Sequence, residues 1–441
     1  MDLRTRALMG ASFWVIAARV VGIVVGFALA VAVARIYGKD ALGFVTLLTS
    51  MTMLFGVVAE FGIGMFLMRE FSASGAGAGR GYLARFYGRS VLIVLTFALV
   101  GCLAALPFFA TMIPEFAQGR GAAVLSIAML AFIARALVNL NTQALRGLMR
   151  IRAFAVMLSG PPVVNLIGVL VLAVIGAGFV PRPLLPAVSY AFALAAVALI
   201  STIFIRSDIM ARDSHGTHDP ADIPPAPRIA RAGFAFFMTS FMSLVVSQGS
   251  VIVAGYFLTS ADLGLYSVAV KISTLAAFAL ASINMVAEPR FAQLRASGDE
   301  EELRLLAKRT TTLVFWSTAP ILAGILLLAP WLVRVAFGPE YLPAVPALLI
   351  LTGGYFINSF GGVSNYFLNM TGGQKVLASI VTLSAVMTVV LSILLIPPFG
   401  ITGAAMAMGG SIAIWNIATL LAVRKRDGIW LCYMPFTGGR G

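Results

Sequence analysis

The chain has 441 residues, of which 60% are apolar and 11% charged, against about 45–50% and about 25% in soluble domains. That composition excludes an ordinary water-soluble domain and calls for a bilayer. The net charge of +14 would suggest nucleic acid on a soluble protein, but here the Lys and Arg positions account for it and no nucleic-acid partner is expected. Two cysteines, Cys102 and Cys432, are too few and too far apart for a disulfide framework or a metal cluster.

The apolar run that follows Arg4 and Arg6 continues to Ala34 with no small-residue cleavage site in place, so it reads as a first span and not a removable signal. A spanning helix needs about 20 mainly apolar residues, and the gaps between charges measure how many there are. Twenty-five uncharged residues lie between Arg89 and Glu115, 29 between Arg152 and Arg182, 23 between Arg182 and Arg206, 30 between Arg231 and Asp262, and 24 between Arg309 and Arg334. Each gap fits one helix. The 48 between Lys375 and Arg424 hold two, broken at Pro397-Pro398-Phe399-Gly400. The pattern predicts an all-α polytopic membrane protein with twelve transmembrane helices near 11–36, 42–68, 86–107, 121–145, 154–178, 184–206, 233–258, 264–288, 311–333, 343–369, 376–396 and 401–423.

Orientation follows from the positive-inside rule. With the N-terminus in the cytoplasm, 23 Lys and Arg fall on the cytoplasmic side and five outside, leaving Arg19, Arg135 and Lys271 within spans. Both termini are therefore expected in the cytoplasm. The longest connection carries Pro220, Pro224, Pro225 and Pro227 and has the composition of a flexible linker. The expected organisation is an N-lobe of six helices over 1–206, a cytoplasmic linker over 207–232, a C-lobe of six helices over 233–423, and a cytoplasmic tail over 424–441. Two halves of equal helix count and orientation suit a parallel repeat. A shift of 221 residues lays Leu42-Gly43 on Leu263-Gly264 and Arg69 on Arg290.

Five segments then carry a resemblance. They are Arg35-Ile-Tyr-Gly-Lys-Asp-Ala-Leu-Gly43, Tyr256-Phe-Leu-Thr-Ser-Ala-Asp-Leu-Gly-Leu-Tyr266, Glu288-Pro-Arg-Phe291, Phe337-Gly-Pro-Glu-Tyr341 and Phe399-Gly-Ile-Thr-Gly-Ala-Ala405. In this order and at these membrane depths the chain resembles the oligosaccharide flippases, or polysaccharide transporters, of the multidrug/oligosaccharidyl-lipid/polysaccharide exporter superfamily. The resemblance implies two pseudo-symmetric six-helix lobes around a central cavity. It also implies translocation of a polyprenyl-diphosphate-linked oligosaccharide from the cytoplasmic to the outer leaflet of a bacterial inner membrane, for cell-surface polysaccharide such as exopolysaccharide or O-antigen. Membrane lipids and other polysaccharide-assembly proteins are the partners it implies. Many relatives carry an acid within helix 7, where this chain reads Ser247-Gln-Gly-Ser-Val-Ile-Val253, so an ion-coupling role there is not carried over.

Flipping breaks no covalent bond, so neither catalytic residues nor a cofactor are expected. The step needs cations for a diphosphate and hydrogen-bonding groups for sugars. Ionisable groups inside spans are costly and face a cavity or a partner, which singles out Arg19, Glu60, Arg135 and Lys271. Lys271 lies nine residues past Asp262, roughly 13 Å into the membrane. Arg19 shares a helix face with Gly22 and Gly26; the alternative is that it snorkels to the interface while the glycines pack helices. Glu60 and Arg135 lie at similar depth and form either an ion pair or a substrate contact. Asn139 and Gln143 follow Arg135 at i+4 and i+8 and extend a polar stripe. Asn358, Asn365 and Asn369 recur at i, i+7 and i+11, the latter two each within about 20° of the first on a continuous helix, where they would meet sugars or glue helices. Three cations against one acid favour an anionic cargo. His215 and His218 lie in the polar linker without further ligands, and no metal is expected.

Two other functions fit part of this pattern. A small-molecule or multidrug exporter of the same fold would use buried acids, of which Glu60 alone is present. A membrane glycosyltransferase, polymerase or ligase would need a sizeable outer loop with acidic or histidine groups, which the pattern lacks.

Overall fold

The computed structural model describes residues 3–74, 79–112, 121–176, 181–212, 225–361 and 363–433. They form helices, with no strand among the described residues. The helices are α1 (Leu3–Glu60), α2 (Ile63–Ser74), α3 (Arg80–Met112), α4 (Gly121–Gly147), α5 (Ile151–Ile175), α6 (Leu185–Met210), α7 (Ala226–Phe257), α8 (Ser260–Ser297), α9 (Glu300–Ala336), α10 (Val345–Gly361), α11 (Ser364–Met370) and α12 (Gln374–Asp427).

Nine helical stretches among the described residues are long and apolar enough to cross a membrane. Two of them, Trp14–Glu60 and Gln374–Asp427, run 47 and 54 residues, more than twice the ~20 that one crossing requires. Each is divided by a non-helical glycine. Gly38 has φ 85 and ψ 179, and Gly400 has φ 56 and ψ −128, values open to a residue without Cβ. With these two divided and the 38-residue α8 added, the architecture accommodates the twelve spans read from the sequence. The break expected at Pro397-Pro398-Phe399-Gly400 is present at Gly400.

Two expected spans are not single helices. The one placed at 42–68 stops at Glu60, turns through Phe61 (φ 47) and Gly62 (φ 70), and restarts as α2 at Ile63. The one placed at 343–369 is described as helix to Gly361 and again from Ser364 as α11, with Val363 in a turn and residue 362 outside the described residues. Hydropathy is blind to both interruptions, because a break of two or three residues leaves the apolar run intact. The segment expected as linker keeps helix at both ends, α6 to Met210 and α7 from Ala226; His215 and His218 lie outside the described residues.

The chain divides into two compact units, residues 1–241 and 242–441, with α7 passing from one to the other. In the first, α1 packs along α5, α2 on α4, and α4 on α6. In the second, α10 packs on α12, α8 on α9, and α9 on α10. Between membrane helices there is little hydrophobic drive to associate, so close backbone approach at small residues carries the packing. The α10–α12 crossing shows this: a Cβ on Gly354 would lie 2.8 Å from the Gly409 Cα. Gly354→Ala is therefore expected to lower the thermal stability of the detergent-solubilised protein by roughly 1–3 kcal/mol. Gly324→Ala, with open space around the new methyl, is expected to be neutral or mildly stabilising in the same melting measurement.

Candidate functional site

In the first unit the end of α1 and the start of α2 pack along α4 in the same chain direction and place most of the expected polar residues together. A Cβ on Gly56 would meet the Arg135 Cγ at 2.8 Å and the Asn139 Nδ2 at 3.4 Å. One on Gly64 would meet the Glu60 Oε1 at 2.0 Å and the Gln143 Cγ at 3.0 Å. Gly56, Glu60 and Gly64, spaced at four, thus face Arg135, Asn139 and Gln143, also spaced at four, and the two missing side chains make room for the long polar ones. Glu60 is 9% exposed. Its carboxylate accepts the Gly64 N–H and lies within the field of Arg135. This bond explains why the carboxylate sits where it does: α2 begins just beyond, at Ile63, and the first N–H groups of a helix have no partner within it.

Glu60 and Arg135 are not in contact as an ion pair. Ion pairs within 4.0 Å join, among others, Arg150 and Arg212 to Asp208, Arg295 to Glu300 and Asp427, and Arg426 to Asp427. Among the described residues none involves Glu60, Arg19, Arg135 or Lys271. The Arg135 Nε is buried without a hydrogen-bond partner, a donor still available in an apolar setting. Gln143 accepts from Arg146 at 3.3 Å.

Arg19 is exposed on α1, and the nearest backbone to its neighbour Gly22 is the α5 segment at Leu158 and Ser159. Lys271 is also exposed in its own unit, although Ala269, Ile272 and Ser273 beside it are buried. At the depth expected of these residues, an exposed cation is a costly arrangement.

The asparagines do not form one stripe. Asn358 stands on α10, Asn365 and Asn369 on α11, and the break lies between them. The angular relation of a continuous helix holds only for Asn365 and Asn369. All three are half-buried, and the Asn369 carbonyl accepts from the Gln374 side chain at 2.7 Å.

A polar centre not singled out in the sequence lies at Asn141, which is fully buried. Its Oδ1 accepts from the Tyr87 hydroxyl at 2.7 Å, and its Nδ2 donates to Ser201 at 2.8 Å and Thr202 at 2.9 Å. It therefore ties α3, α4 and α6 together. The signal was present in Asn139-Leu-Asn-Thr-Gln143, where three amides fall on two different helix faces. At the α4–α5 turn, Arg150 donates to the Asp208 carboxylate of α6, which holds the guanidinium above its ordinary basicity, first through that bond and then through its charge.

Comparison with known proteins agrees with this fold. A family model described as "Polysaccharide biosynthesis protein" matches residues 32–346. The probable low-salt glycan biosynthesis flippase Agl15 of Haloferax volcanii is 24% identical over 194 residues, 43% of this chain and 41% of that protein. The uncharacterized membrane protein MJ1068 of Methanocaldococcus jannaschii is 34% identical over 85 residues, 19% of this chain and 17% of that one. The chain thus aligns with less than half the length of either curated relative. Among solved structures, the lipid II flippase MurJ in an inward closed conformation superposes with a TM-score of 0.73 at 13% identity, over 95% of this chain and 89% of that one. An inward-facing multidrug resistance MATE family transporter of the MOP superfamily gives 0.73 at 15% identity, over 94% and 98%. At these identities the likeness is one of fold.

Two stability outcomes follow from the site. Asn141→Ala removes the acceptor of the Tyr87 hydroxyl and the amide bonds to Ser201 and Thr202 and is expected to cost about 1–3 kcal/mol in thermal unfolding, more than Asn139→Ala. Glu60→Gln keeps an acceptor for the Gly64 N–H, so its melting temperature is expected to stay closer to wild type than that of Glu60→Ala.

Proposed function

The chain belongs to the polysaccharide biosynthesis protein family, and from that premise we propose that it is a flippase of glycan biosynthesis. Its cargo is a polyprenyl-diphosphate-linked oligosaccharide, moved from the cytoplasmic to the outer leaflet by alternating access. The observation that carries the choice of cargo is the set of intramembrane cations without carboxylate partners among the described residues. A charged side chain at the centre of a spanning helix costs about 3 kcal/mol on insertion scales, a penalty that an anionic cargo would offset.

Arg19 and Lys271 contact the diphosphate, as charge-assisted hydrogen bonds from a cation to phosphate are roughly twice as strong as neutral ones. Arg135, held against Gly56 with its Nε unpartnered, adds to the positive field. Asn139 and Gln143 extend that stripe, and Asn358, Asn365 and Asn369 offer amides to sugar hydroxyls. Glu60 serves as the cap of α2 in the field of Arg135. The protein works in a bacterial cytoplasmic membrane, with both termini in the cytoplasm, as the distribution of 23 cations against five supports. The glycan belongs to a cell-surface polymer of the exopolysaccharide or O-antigen kind.

Small-molecule export is the second reading, favoured by the fold shared with MATE transporters. It is weakened by the state of Glu60, the acid such a carrier would use, whose carboxylate is already engaged by the Gly64 N–H.

Deleting the gene is expected to accumulate lipid-linked oligosaccharide on the cytoplasmic leaflet, read by accessibility to an impermeant glycosidase in inverted vesicles. Increased drug sensitivity with normal surface glycan would favour export instead. Arg19→Ala and Lys271→Ala, expressed at normal levels, are each expected to lower translocation about tenfold, the loss of one charge-assisted hydrogen bond. Unchanged translocation in both would remove the assignment of these residues to the diphosphate.

A further inference from the structure

The turn from α4 to α5 closes in a way that the chain builds elsewhere with glycine. The Arg150 N–H donates to the Leu145 carbonyl at 2.9 Å, and the residue before it, Met149, is left-handed at φ 59. Likewise the Asp299 N–H reaches the Leu294 carbonyl at 3.2 Å behind Gly298 (φ 77), and the Gly373 N–H reaches the Leu368 carbonyl at 2.8 Å behind Gly372 (φ 90). The left-handed residue that ends a helix is usually glycine, because a Cβ there crowds the following carbonyl. The α4–α5 turn puts a methionine in that place, and Met149 is 68% exposed. Behind it Leu148 is buried, and a Cβ on Gly147 would lie 2.7 Å from the Phe71 Cβ and 2.9 Å from the Met68 carbonyl oxygen. The turn is therefore seated on α2, with Met149 on its open side.

Four arginines gather at this turn against one carboxylate. Arg146 and Arg152 are exposed, and Arg146 lies over the Phe154 ring, 5.4 Å from its centroid. Arg150 and Arg212 share the Asp208 carboxylate, whose side chain is 8% exposed against 52% for that of Arg150. The acid is covered, and the surface presents guanidinium groups. The helices on either side, Val124–Gly147 and Ile151–Ile175, are each long and apolar enough to cross a membrane, which puts the turn at a bilayer boundary. A soluble anion would use the arginines alone and leave a strained, exposed thioether without a purpose. A lipid brings a phosphate and acyl methylenes to the same place, and this turn offers a partner to each.

We propose that the α4–α5 turn is a docking site for an anionic phospholipid, with Arg146 and Arg152 on its phosphate and Met149 inserted beside its acyl chains. The site fastens the first unit to the leaflet. It does not depend on the identity of the cargo.

The test uses the purified full chain in nanodiscs of phosphatidylcholine, with and without phosphatidylglycerol. Hydrogen exchange is read at the Met149 and Arg150 amides, whose bonds to Arg146 and Leu145 close the turn. The Asp299 amide is the reference: it closes a matching turn beside Glu300 and Glu301 and registers any general effect of a charged bilayer. Phosphatidylglycerol is expected to slow exchange at Met149 and Arg150 about five- to tenfold relative to Asp299, the equivalent of one added hydrogen bond. The double variant Arg146→Gln, Arg152→Gln, which leaves the Asp208 pairs in place, is expected to lose that slowing. Met149→Gly supplies the residue this backbone favours, so it is expected to melt no lower than wild type in detergent while showing less slowing; it serves if the double variant does not fold. No slowing in phosphatidylglycerol would overturn the inference, as would full slowing in either variant. Equal slowing by inorganic phosphate in phosphatidylcholine discs would overturn the lipid as occupant. The discs hold no lipid-linked glycan, so failure of the flippase reading is separable from failure of this site.

Discussion

In hydrocarbon there is no water to bond a free peptide N–H or C=O, and each unsatisfied group costs several kcal/mol. A helix that crosses a membrane meets this demand along its length, and a helix that breaks inside one must import partners. Two breaks in this chain show how the import is done. At Phe61–Gly62, the Glu60 carboxylate turns back onto the Gly64 N–H, and Gly233 of α7 comes close enough that a Cβ on Gly62 would lie 2.1 Å from its carbonyl oxygen. Near the end of α10, the Phe360 carbonyl accepts the N–H of Tyr433. In the first case the partner is a side chain at the end of the preceding helix, and in the second a backbone N–H beyond the end of α12.

The same demand sorts the charges. Glu60 and Arg135 lie on facing helices whose glycines leave space for them, so their cost is shared with the packing of the first unit. Asp208 and Asp427 are nearly buried carboxylates, each held by two arginines at helix ends, where they fasten loops. Arg19 and Lys271 belong to neither group. They are exposed cations, Arg19 on a helix long and apolar enough to cross a membrane and Lys271 on α8.

Much of this could be read before any coordinates. Charge-free gaps located the helices because a span must be about 20 residues long whatever its neighbours, and the break at Gly400 was marked by two prolines and a glycine. The interruptions at Gly62 and Gly361 were not read, since neither carries proline and both lie inside apolar runs. Arg135, Asn139 and Gln143 share one helix face by their spacing, but the glycines opposite them are invisible to the pattern of a single helix. Asn358 was grouped with Asn365 and Asn369 by a periodicity that assumes a continuous helix, and the break ended that assumption. Asn141 was passed over because spacing along one helix cannot reveal a network that spans three.

What the sequence determined by itself is the medium, the helix inventory and the few costly charges, because these follow from local transfer free energies and from lengths set by the bilayer. What only the tertiary structure decided is which groups complete one another: Glu60 with Gly64, Asn141 with Tyr87 and Ser201, Tyr433 with Phe360. Those partners lie between four and 73 residues apart in the chain. A hydrogen bond forms where two groups meet within about 3 Å, and for the distant pairs that meeting is arranged by the packing of helices rather than by the order of residues.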